Sequence, residues 1–251
     1  MIELGRVFAD DEVAALYEYR APYPPETFII LERLVVGPRV VLDAGAGTGA
    51  IARHFPPSIT RIDAVDPSAA MIARGRALPG GDDPRINWIL GRAEDAPLSP
   101  PYGLITAGAS LHWMQPDVVL PRFRDALAPG AHLAILNTEK TETGEWHAEM
   151  LDVIGRYSPL KDHLEAHEMV ARDAKKGLFR LVGEERTPPV TSDKSVDDFI
   201  RLLGSTSTLS RVTLGPRADA FEAECRDVFA RNNMTRVQTE IVGYVAWVTP
   251  I

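Results

Sequence analysis

Short apolar runs alternate along this chain with segments in which apolar residues recur at helical spacing. The apolar runs are rich in β-branched residues, which favours strands, whereas the other segments favour amphipathic helices. The predicted strands begin at 40 and then cover 59–65, 86–90, 102–107, 132–136, 178–187 and 238–248. The predicted helices cover 11–19, 26–35, 69–74, 118–127, 195–200 and 218–232, with another starting at 51–55. This alternation predicts an α/β protein built on a largely parallel sheet.

A glycine-rich turn follows the first strand, within the stretch VVLDAGAGTGAI at 40–51. Gly45, Gly47 and Gly49 remove Cβ atoms where a ligand could lie against the main chain. A strand, a glycine turn and a helix N-terminus together form a place where a small ligand meets bare backbone amides. The stretch therefore predicts a small-molecule site, with glycines that serve packing alone as the alternative.

Two classes of ligand suit this turn. The letters GAGTGA at 45–50 satisfy the G-x-G-x-x-G/A pattern, which favours a nicotinamide or flavin dinucleotide. Asp43 argues the other way, because a carboxylate at the mouth of the turn would repel a pyrophosphate and attract an ammonium group. S-adenosylmethionine (SAM) carries an ammonium and a sulfonium but no phosphate. With Asp43 included, the stretch resembles the D-x-G-x-G-x-G loop of class I SAM-dependent methyltransferases.

That resemblance implies a Rossmann-like, doubly wound sheet of seven strands in the order 3-2-1-4-5-7-6, with strand 7 antiparallel. It also implies one methyltransferase domain over residues 1–251. Within that domain we expect an N-terminal helical cap at 1–38 and a helical substrate-cap insertion at 138–176.

The segment before the first strand also resembles this family. YRAPYP at 19–24 is similar to the Y-R-P-x-Y-P segment of small-molecule methyltransferases, in which the tyrosine and arginine close the pocket around the methionine end of SAM. The resemblance assigns Tyr19 and Arg20 to the cofactor and Tyr23 to the substrate pocket. Arg20 pairing with the SAM carboxylate and Arg20 as an ordinary solvated arginine both stay open.

An acidic residue leaves the second predicted strand. Asp66, followed by Pro67, occurs where a carboxylate grips the ribose diol in such folds, and its two oxygens match two neighbouring hydroxyls. This position suits SAM and NAD equally. The alternative is a helix N-cap, which Ser68 could supply instead. Met71, on the next helix, is placed to lean on the adenine.

After the third strand, GRAEDAPL at 91–98 resembles the G-x-A-E-x-x-P segment of the family. There the Ala93 N–H would meet the adenine ring and Glu94 would accept from its exocyclic amine. Many relatives carry Asp where this chain has Arg92, so the contact could fall to Glu94 or to Asp95. An acidic surface turn is the alternative.

The segment after the fourth strand, TAGASLHWM at 106–114, resembles the A-S-L-x-W stretch of trans-aconitate and malonyl-carrier methyltransferases. Ligands of doubly wound sheets bind beyond the carboxyl ends of the strands, so we expect His112 and Trp113 at the reaction mouth. Ala107 would leave room for the sulfonium and contact the cofactor. His112 is the candidate general base, with a hydrogen-bonded structural histidine as the alternative. We expect the substrate pocket to be lined by Tyr23, Trp113, Trp146 and Ser205.

The amino-acid composition restricts the kinds of partner that the protein can bind. The 251 residues include 27 Lys and Arg against 35 Asp and Glu, for a net charge of −8, which argues against nucleic-acid and anionic-membrane partners. The chain shows neither a signal-peptide pattern nor an apolar run of membrane-spanning length, so we expect a cytoplasmic monomer or homodimer. The one cysteine, Cys225, excludes an internal disulfide and is expected to be a packed thiol.

The resemblance also bears on the reaction. An N-P-P-Y segment of amine- and amide-modifying relatives and an acidic metal triplet are both missing from the sequence. We therefore expect metal-free O- or C-methylation of a small organic acid or natural-product intermediate, with SAM as the methyl donor. A NAD(P)-dependent oxidoreductase and a non-catalytic SAM-binding protein are the alternative functions.

Overall fold

A computed structural model describes residues 4–141, 144–160 and 164–251. Within these residues the α-helices are α1 (Asp11–Leu16), α2 (Pro25–Leu34), α3 (Ala69–Ala77), α4 (Pro116–Ala126), α5 (Glu145–Tyr157), α6 (Ala166–Lys175), α7 (Val196–Gly204), α8 (Arg211–Leu214) and α9 (Ala218–Arg231). The strands are β1 (Val40–Ala44), β2 (Arg61–Asp66), β3 (Ile86–Leu90), β4 (Leu104–Gly108), β5 (Leu133–Thr141), β6 (Phe179–Arg186), β7 (Val190–Ser195) and β8 (Arg236–Pro250). None of these helices is both long enough and apolar enough to cross a membrane.

The chain folds as two compact units, each built from three segments. Unit 1 combines Met1–Pro22, Lys140–His163 and Pro189–Ile241, and unit 2 combines Tyr23–Glu139, Leu164–Pro188 and Val242–Ile251. The segments expected to form the cap are divided between them. Helix α1 and helix α5 lie in unit 1, whereas α2 and α6 lie in unit 2.

The sheet has the strand order β3-β2-β1-β4-β5-β8-β6, with β7 paired to β8. Strands β1 to β5 pair in parallel wherever their registers are described, and β8 runs antiparallel to β6. Because β8 occupies the place predicted for a seventh strand, the Rossmann-like fold and its strand order are confirmed. The carboxyl ends of β1, β2 and β4 consequently lie at one edge of the sheet, where the candidate loops begin.

The sheet of unit 2 is covered on both faces. Side chains alternate along a strand, so Val41 and Leu42 of β1 enter two different apolar clusters. Helices α4 and α6 pack on the cluster that contains Leu42, and α2 packs on the cluster that contains Val41. Burial on both sides explains why apolar residues of β1 and β4 follow one another instead of alternating with polar ones.

Unit 1 has its own core, in which Trp146 packs edge-to-face on Phe199 with ring centroids 5.9 Å apart and lies 5.4 Å from Phe229. Cys225 is fully buried in this core, and burial raises the pKa of its thiol to about 12. The thiol is therefore protonated and packed, as the sequence predicted.

Two local predictions are wrong. No α-helix follows the glycine turn, because Ala52–His54 forms only one turn of 3-10 helix. Phe55 precedes Pro56 and is extended, with φ −64° and ψ 138°, since a following proline disfavours the helical conformation. Strand β7 was not predicted, because its polar sequence VTSDKS lacks an apolar alternation and follows two prolines. The fifteen-residue strand β8 supplies its pairing partner, with Val190 opposite Ile241.

Candidate cofactor and acceptor site

The three glycines after β1 all adopt left-handed backbone conformations, with φ of 70° at Gly45, 56° at Gly47 and 76° at Gly49. Two of them serve close packing. A Cβ at Gly45 would lie 2.5 Å from the Ser110 Cβ, and one at Gly49 would lie 2.6 Å from the Trp88 ring. A Cβ at Gly47 would meet nothing within 4 Å. Gly47 is therefore the point at which the main chain of the turn faces open space.

Asp43 lies beneath this turn. Its side chain is 1% exposed, and its carboxylate accepts hydrogen bonds from the Thr106 hydroxyl at 2.9 Å and the Ala52 N–H at 3.2 Å. Burial raises the pKa of Asp43 to about 7 although both hydrogen bonds oppose the change. The expectation that this carboxylate stands at the mouth of the turn is wrong, because its oxygens are enclosed by Thr106 of β4 and by Ala52 after the turn. Asp43 instead ties β1 to β4 and to the turn that follows.

Asp66, at the end of β2, holds the glycine turn from the side. One of its oxygens accepts from the Gly47 N–H at 2.7 Å and the other from the Ser68 N–H at 2.8 Å. Ser68 itself caps α3 by accepting from the Met71 N–H at 3.1 Å, so the helix does not require Asp66 as its N-cap. Burial raises the pKa of Asp66. Each carboxylate oxygen keeps a second lone pair with which it can accept from a hydroxyl group.

The segment after β3 is held by Glu94. Its carboxylate accepts from the Arg92 guanidinium at 3.1 Å and from the Gln115 N–H at 2.9 Å. Burial alone would raise the pKa of Glu94, but these hydrogen bonds outweigh it and hold the pKa below its usual value. Arg92, the position that departs from the family pattern, therefore occupies part of the proposed adenine-reading carboxylate.

The remaining adenine-side candidates differ in accessibility. Ala93 is buried at 6% exposure, Met71 is buried at 1%, and Pro67 is exposed. Met71 packs in the interior, and the structure shows no surface of its side chain available for the adenine. The adenine contacts of Ala93 and Pro67 stay predictions.

His112 and Trp113 lie in a 3-10 turn directly after β4, with their ring centroids 4.6 Å apart. Their places at the reaction mouth, and that of Trp113 in the substrate pocket, stay predictions. Beside His112 is a cavity of about 40 Å³, roughly the space of one water molecule. Ala107, Asn137 and Asp173 also line it. Burial, aided by the charge of a nearby arginine, lowers the pKa of His112 to about 4. His112 is therefore neutral and a weak base at neutral pH.

Tyr23 reaches the same end of β4. A Cβ at Gly108 would lie 2.9 Å from the Tyr23 hydroxyl, so the absence of a side chain at Gly108 admits this ring. Ser110 anchors the turn by donating from its hydroxyl to the Ala44 carbonyl at 2.7 Å. The structure thus brings Tyr23, Ala107 and His112 to one strand end.

The candidates in unit 1 contact one another. Arg20 donates from Nε to the Ser205 hydroxyl at 3.0 Å and from Nη2 to the Ser205 carbonyl at 2.8 Å. Ser205 is fully buried at the end of α7, and its hydroxyl also donates to the Leu202 carbonyl. The Tyr19 hydroxyl lies 3.4 Å from Arg201. Roles of Tyr19 and Arg20 toward the cofactor, and of Trp146 and Ser205 toward the acceptor, stay predictions.

Sequence reasoning missed the side chains that support the site. Thr106 bonds Asp43, Ser110 packs behind Gly45, and Asn137 and Asp173 line the cavity beside His112. Thr106 could have been found, because the parallel register of β1 and β4 places it opposite Asp43. Within the described residues, no group of three or more His, Cys, Asp or Glu is arranged to hold a metal.

Comparison with known proteins identifies the domain that carries this geometry. Residues 41–130 match a family described as "Methyltransferase domain", and this range contains the glycine turn, Asp43 and Asp66. An uncharacterized methyltransferase of Mycobacterium tuberculosis is 31% identical over 154 residues, which are 61% of this chain and 61% of that protein. A malonyl-[acyl-carrier protein] O-methyltransferase of Anoxybacillus flavithermus is 27% identical over 118 residues, 46% of this chain and 40% of that protein.

The fold agrees with these matches. The structure of a type II methyltransferase candidate from Anaeromyxobacter dehalogenans superposes with a TM-score of 0.63 at 23% identity, covering 90% of this chain and 97% of that one. The predicted resemblance to methyltransferases is confirmed. The matched region spans less than two thirds of the length of these curated relatives.

Proposed function

We propose that this methyltransferase-domain protein transfers a methyl group from SAM to a small-molecule acceptor. The observation that carries the proposal is the open, left-handed Gly47 held against the Asp66 carboxylate where β1 and β2 end. Gly47 leaves space for a ligand against the main chain, and Asp66 supplies acceptor oxygens of the kind that bind a ribose diol. The residues present therefore suit an adenosyl ligand.

SAM, when bound, supplies a methyl group on a cationic sulfur, which is already an activated leaving group. The chain has to position the acceptor and exclude water, and good alignment can contribute roughly 7–11 kcal/mol to the rate. Gly47 and Asp66 would hold the adenosine end, with Ala93 and Glu94 at the adenine. Asp43 acts through the turn that it supports, since its own oxygens are buried.

The low pKa of His112 bears on which chemical group can accept the methyl group. A general base works best when its pKa is close to the working pH, and burial places the pKa of His112 at about 4. Such a residue abstracts a proton poorly from an alcohol or an unactivated carbon. An acceptor that is already ionised, such as a carboxylate, requires no base. Within the predicted range of O- and C-methylation, we therefore favour O-methylation of a small organic acid.

Binding is tested by isothermal titration calorimetry with SAM, S-adenosylhomocysteine, NAD and NADP. We expect saturable binding of the first two ligands by the wild type, and a loss of about tenfold or more in Asp66→Asn. Asp82→Asn, which replaces an exposed carboxylate, is the matched control and should bind like the wild type. Binding of NAD or NADP in preference to SAM would instead support the dinucleotide function that the glycine pattern allows.

Catalysis is tested by following a labelled methyl group from SAM into two sets of acceptors, carboxylic acids and phenols of matched skeleton. We expect methyl esters from the acids, formed at a rate that His112→Gln changes little. Product from the phenols alone would overturn the choice of acceptor. SAM binding without product from either set would favour the non-catalytic alternative.

A further inference from the structure

The helices of unit 1 surround a second and larger cavity, with a volume of about 280 Å³. Its lining residues come from α1, α7, α8, α9 and the segment between α7 and α8, all within unit 1. Protein interiors contain few voids larger than a water molecule, and a cavity of about 150 Å³ suffices to bind benzene. A space of this size between packed helices is therefore large enough for a small ligand.

The inner wall of this cavity is apolar. Leu209, Leu214 and Phe221 line it and are themselves between 1% and 5% exposed, and Ile200 lines it at 4%. Ligand sites typically combine such an apolar body with a few polar groups that fix the orientation. The wall thus favours a ligand with a compact hydrocarbon or aromatic body.

The rim of the cavity carries three arginines, Arg201, Arg211 and Arg226, whose side chains are about half exposed. Each arginine already has a carboxylate partner. Arg201 pairs with Asp198 at 3.0 Å, and Arg211 pairs with Asp219, which is 86% exposed. Glu222 is shared between two of them, at 2.5 Å from Arg211 and 3.6 Å from Arg226. Arg226 also pairs with Asp197 at 3.3 Å, and that carboxylate is 65% exposed.

Exposed ion pairs contribute little to stability because solvent screens them. An incoming anion can therefore replace an exposed partner such as Asp197 at small cost. Arginine suits this exchange, since its planar guanidinium binds a carboxylate through two parallel hydrogen bonds.

We propose that this cavity is a second ligand site, which binds a small organic acid with an aromatic or branched apolar body. The apolar body fills the space between the helices, beside Leu16, and the carboxylate lies at the rim with Arg211 and Arg226. Binding is non-covalent and does not depend on the methyltransferase function.

Calorimetry on the full chain tests the proposal with three probes that share a skeleton: 4-phenylbutyrate, its neutral amide, and the cation 4-phenylbutylamine. We expect the acid to bind saturably and about tenfold or more tightly than the amide. Arg226→Gln should weaken binding of the acid by a similar factor. Arg231→Gln is the matched control, because Arg231 also lies on α9 and pairs with a carboxylate, Glu149, but does not line the cavity.

A second test fills the cavity with a larger side chain. Ala218 lines the space, so Ala218→Leu should abolish binding of the acid, whereas Ala223→Leu on the exposed side of α9 should leave it unchanged. Circular dichroism confirms that both variants fold. The proposal is overturned if 4-phenylbutyrate fails to bind, if the amide or amine binds as tightly, or if both cavity variants behave like the wild type. Displacement of the acid by S-adenosylhomocysteine would also overturn it, by placing the acid at the cofactor site.

Discussion

Asp43→Asn should stabilise the ligand-free protein at and above neutral pH. The wild-type carboxylate is buried beneath the glycine turn, and burial raises its pKa from 3.8 to about 7. An asparagine of the same shape carries no charge to desolvate. Its amide oxygen can accept from the Ala52 N–H and its NH2 can donate to Thr106, whose hydroxyl can turn to the Leu42 carbonyl, 3.4 Å away.

Proton linkage gives the direction in which wild-type stability changes with pH. Because the folded state has the higher pKa, it holds more protons than the unfolded state between about pH 4 and pH 7, so wild-type stability falls as the pH rises through that window. At 1.36 kcal/mol per pKa unit, the full cost above the window is about 4 kcal/mol. Between pH 5 and pH 8 the stability advantage of Asp43→Asn should grow by about 2.5 kcal/mol.

Urea unfolding of the wild type and of Asp43→Asn at several pH values from 5 to 8 measures this difference. Asp82→Asn controls for the loss of one negative charge from the chain. A difference between wild type and Asp43→Asn that does not change with pH would refute the buried-charge argument. Saturating SAM should reduce the pH dependence of the wild type if the bound cation favours the ionised aspartate.

Three other predictions concern the same unit. Gly45→Ala should lower the free energy of unfolding by about 1–3 kcal/mol, because its Cβ would lie 2.5 Å from the Ser110 side chain. Gly47→Ala meets no such neighbour, so it should lower the free energy of unfolding by only about 1 kcal/mol and chiefly weaken SAM binding. Thermal unfolding and calorimetry separate the two effects. The pH profile of methyl transfer should show no inflection near pH 6.5 from His112, whose pKa is about 4, and His112→Gln should leave that region of the profile unchanged. Tyr102→Phe should cost about 1–3 kcal/mol in urea unfolding, since it removes a 2.7 Å hydrogen bond to the buried Asp63 carboxylate.

Each of these predictions has a contrary result. Equal losses of stability in the two glycine variants would mean that Gly47 also packs against the protein. An inflection near neutral pH that disappears in His112→Gln would show that the histidine titrates where a general base should. An unchanged unfolding midpoint in Tyr102→Phe would show that water replaces the hydroxyl at Asp63.

Local signals in the sequence were sufficient for most of the fold. Apolar runs and helical spacing placed β1 to β6, β8 and the main helices to within a few residues, because a parallel sheet buried on both faces needs continuous apolar strands. The alternation of strands and helices predicted a largely parallel sheet, and the resemblance to methyltransferases implied its doubly wound strand order. The glycines and Asp66 were also found from the sequence, since a left-handed turn and a strand-end carboxylate leave local patterns.

The depth of each side chain was decided by the tertiary structure. Asp43 was expected at a cleft mouth and lies instead beneath the turn, where Thr106 of β4 and Ala52 after the turn enclose its carboxylate. Burial by distant segments also lowers the pKa of His112, and no local pattern indicates that effect. Strand β7 forms only because β8 is long enough to pair with it. The sequence by itself therefore determined most of the elements and the family resemblance, whereas packing between segments far apart in the chain determined how deeply Asp43 is buried and how weak a base His112 is.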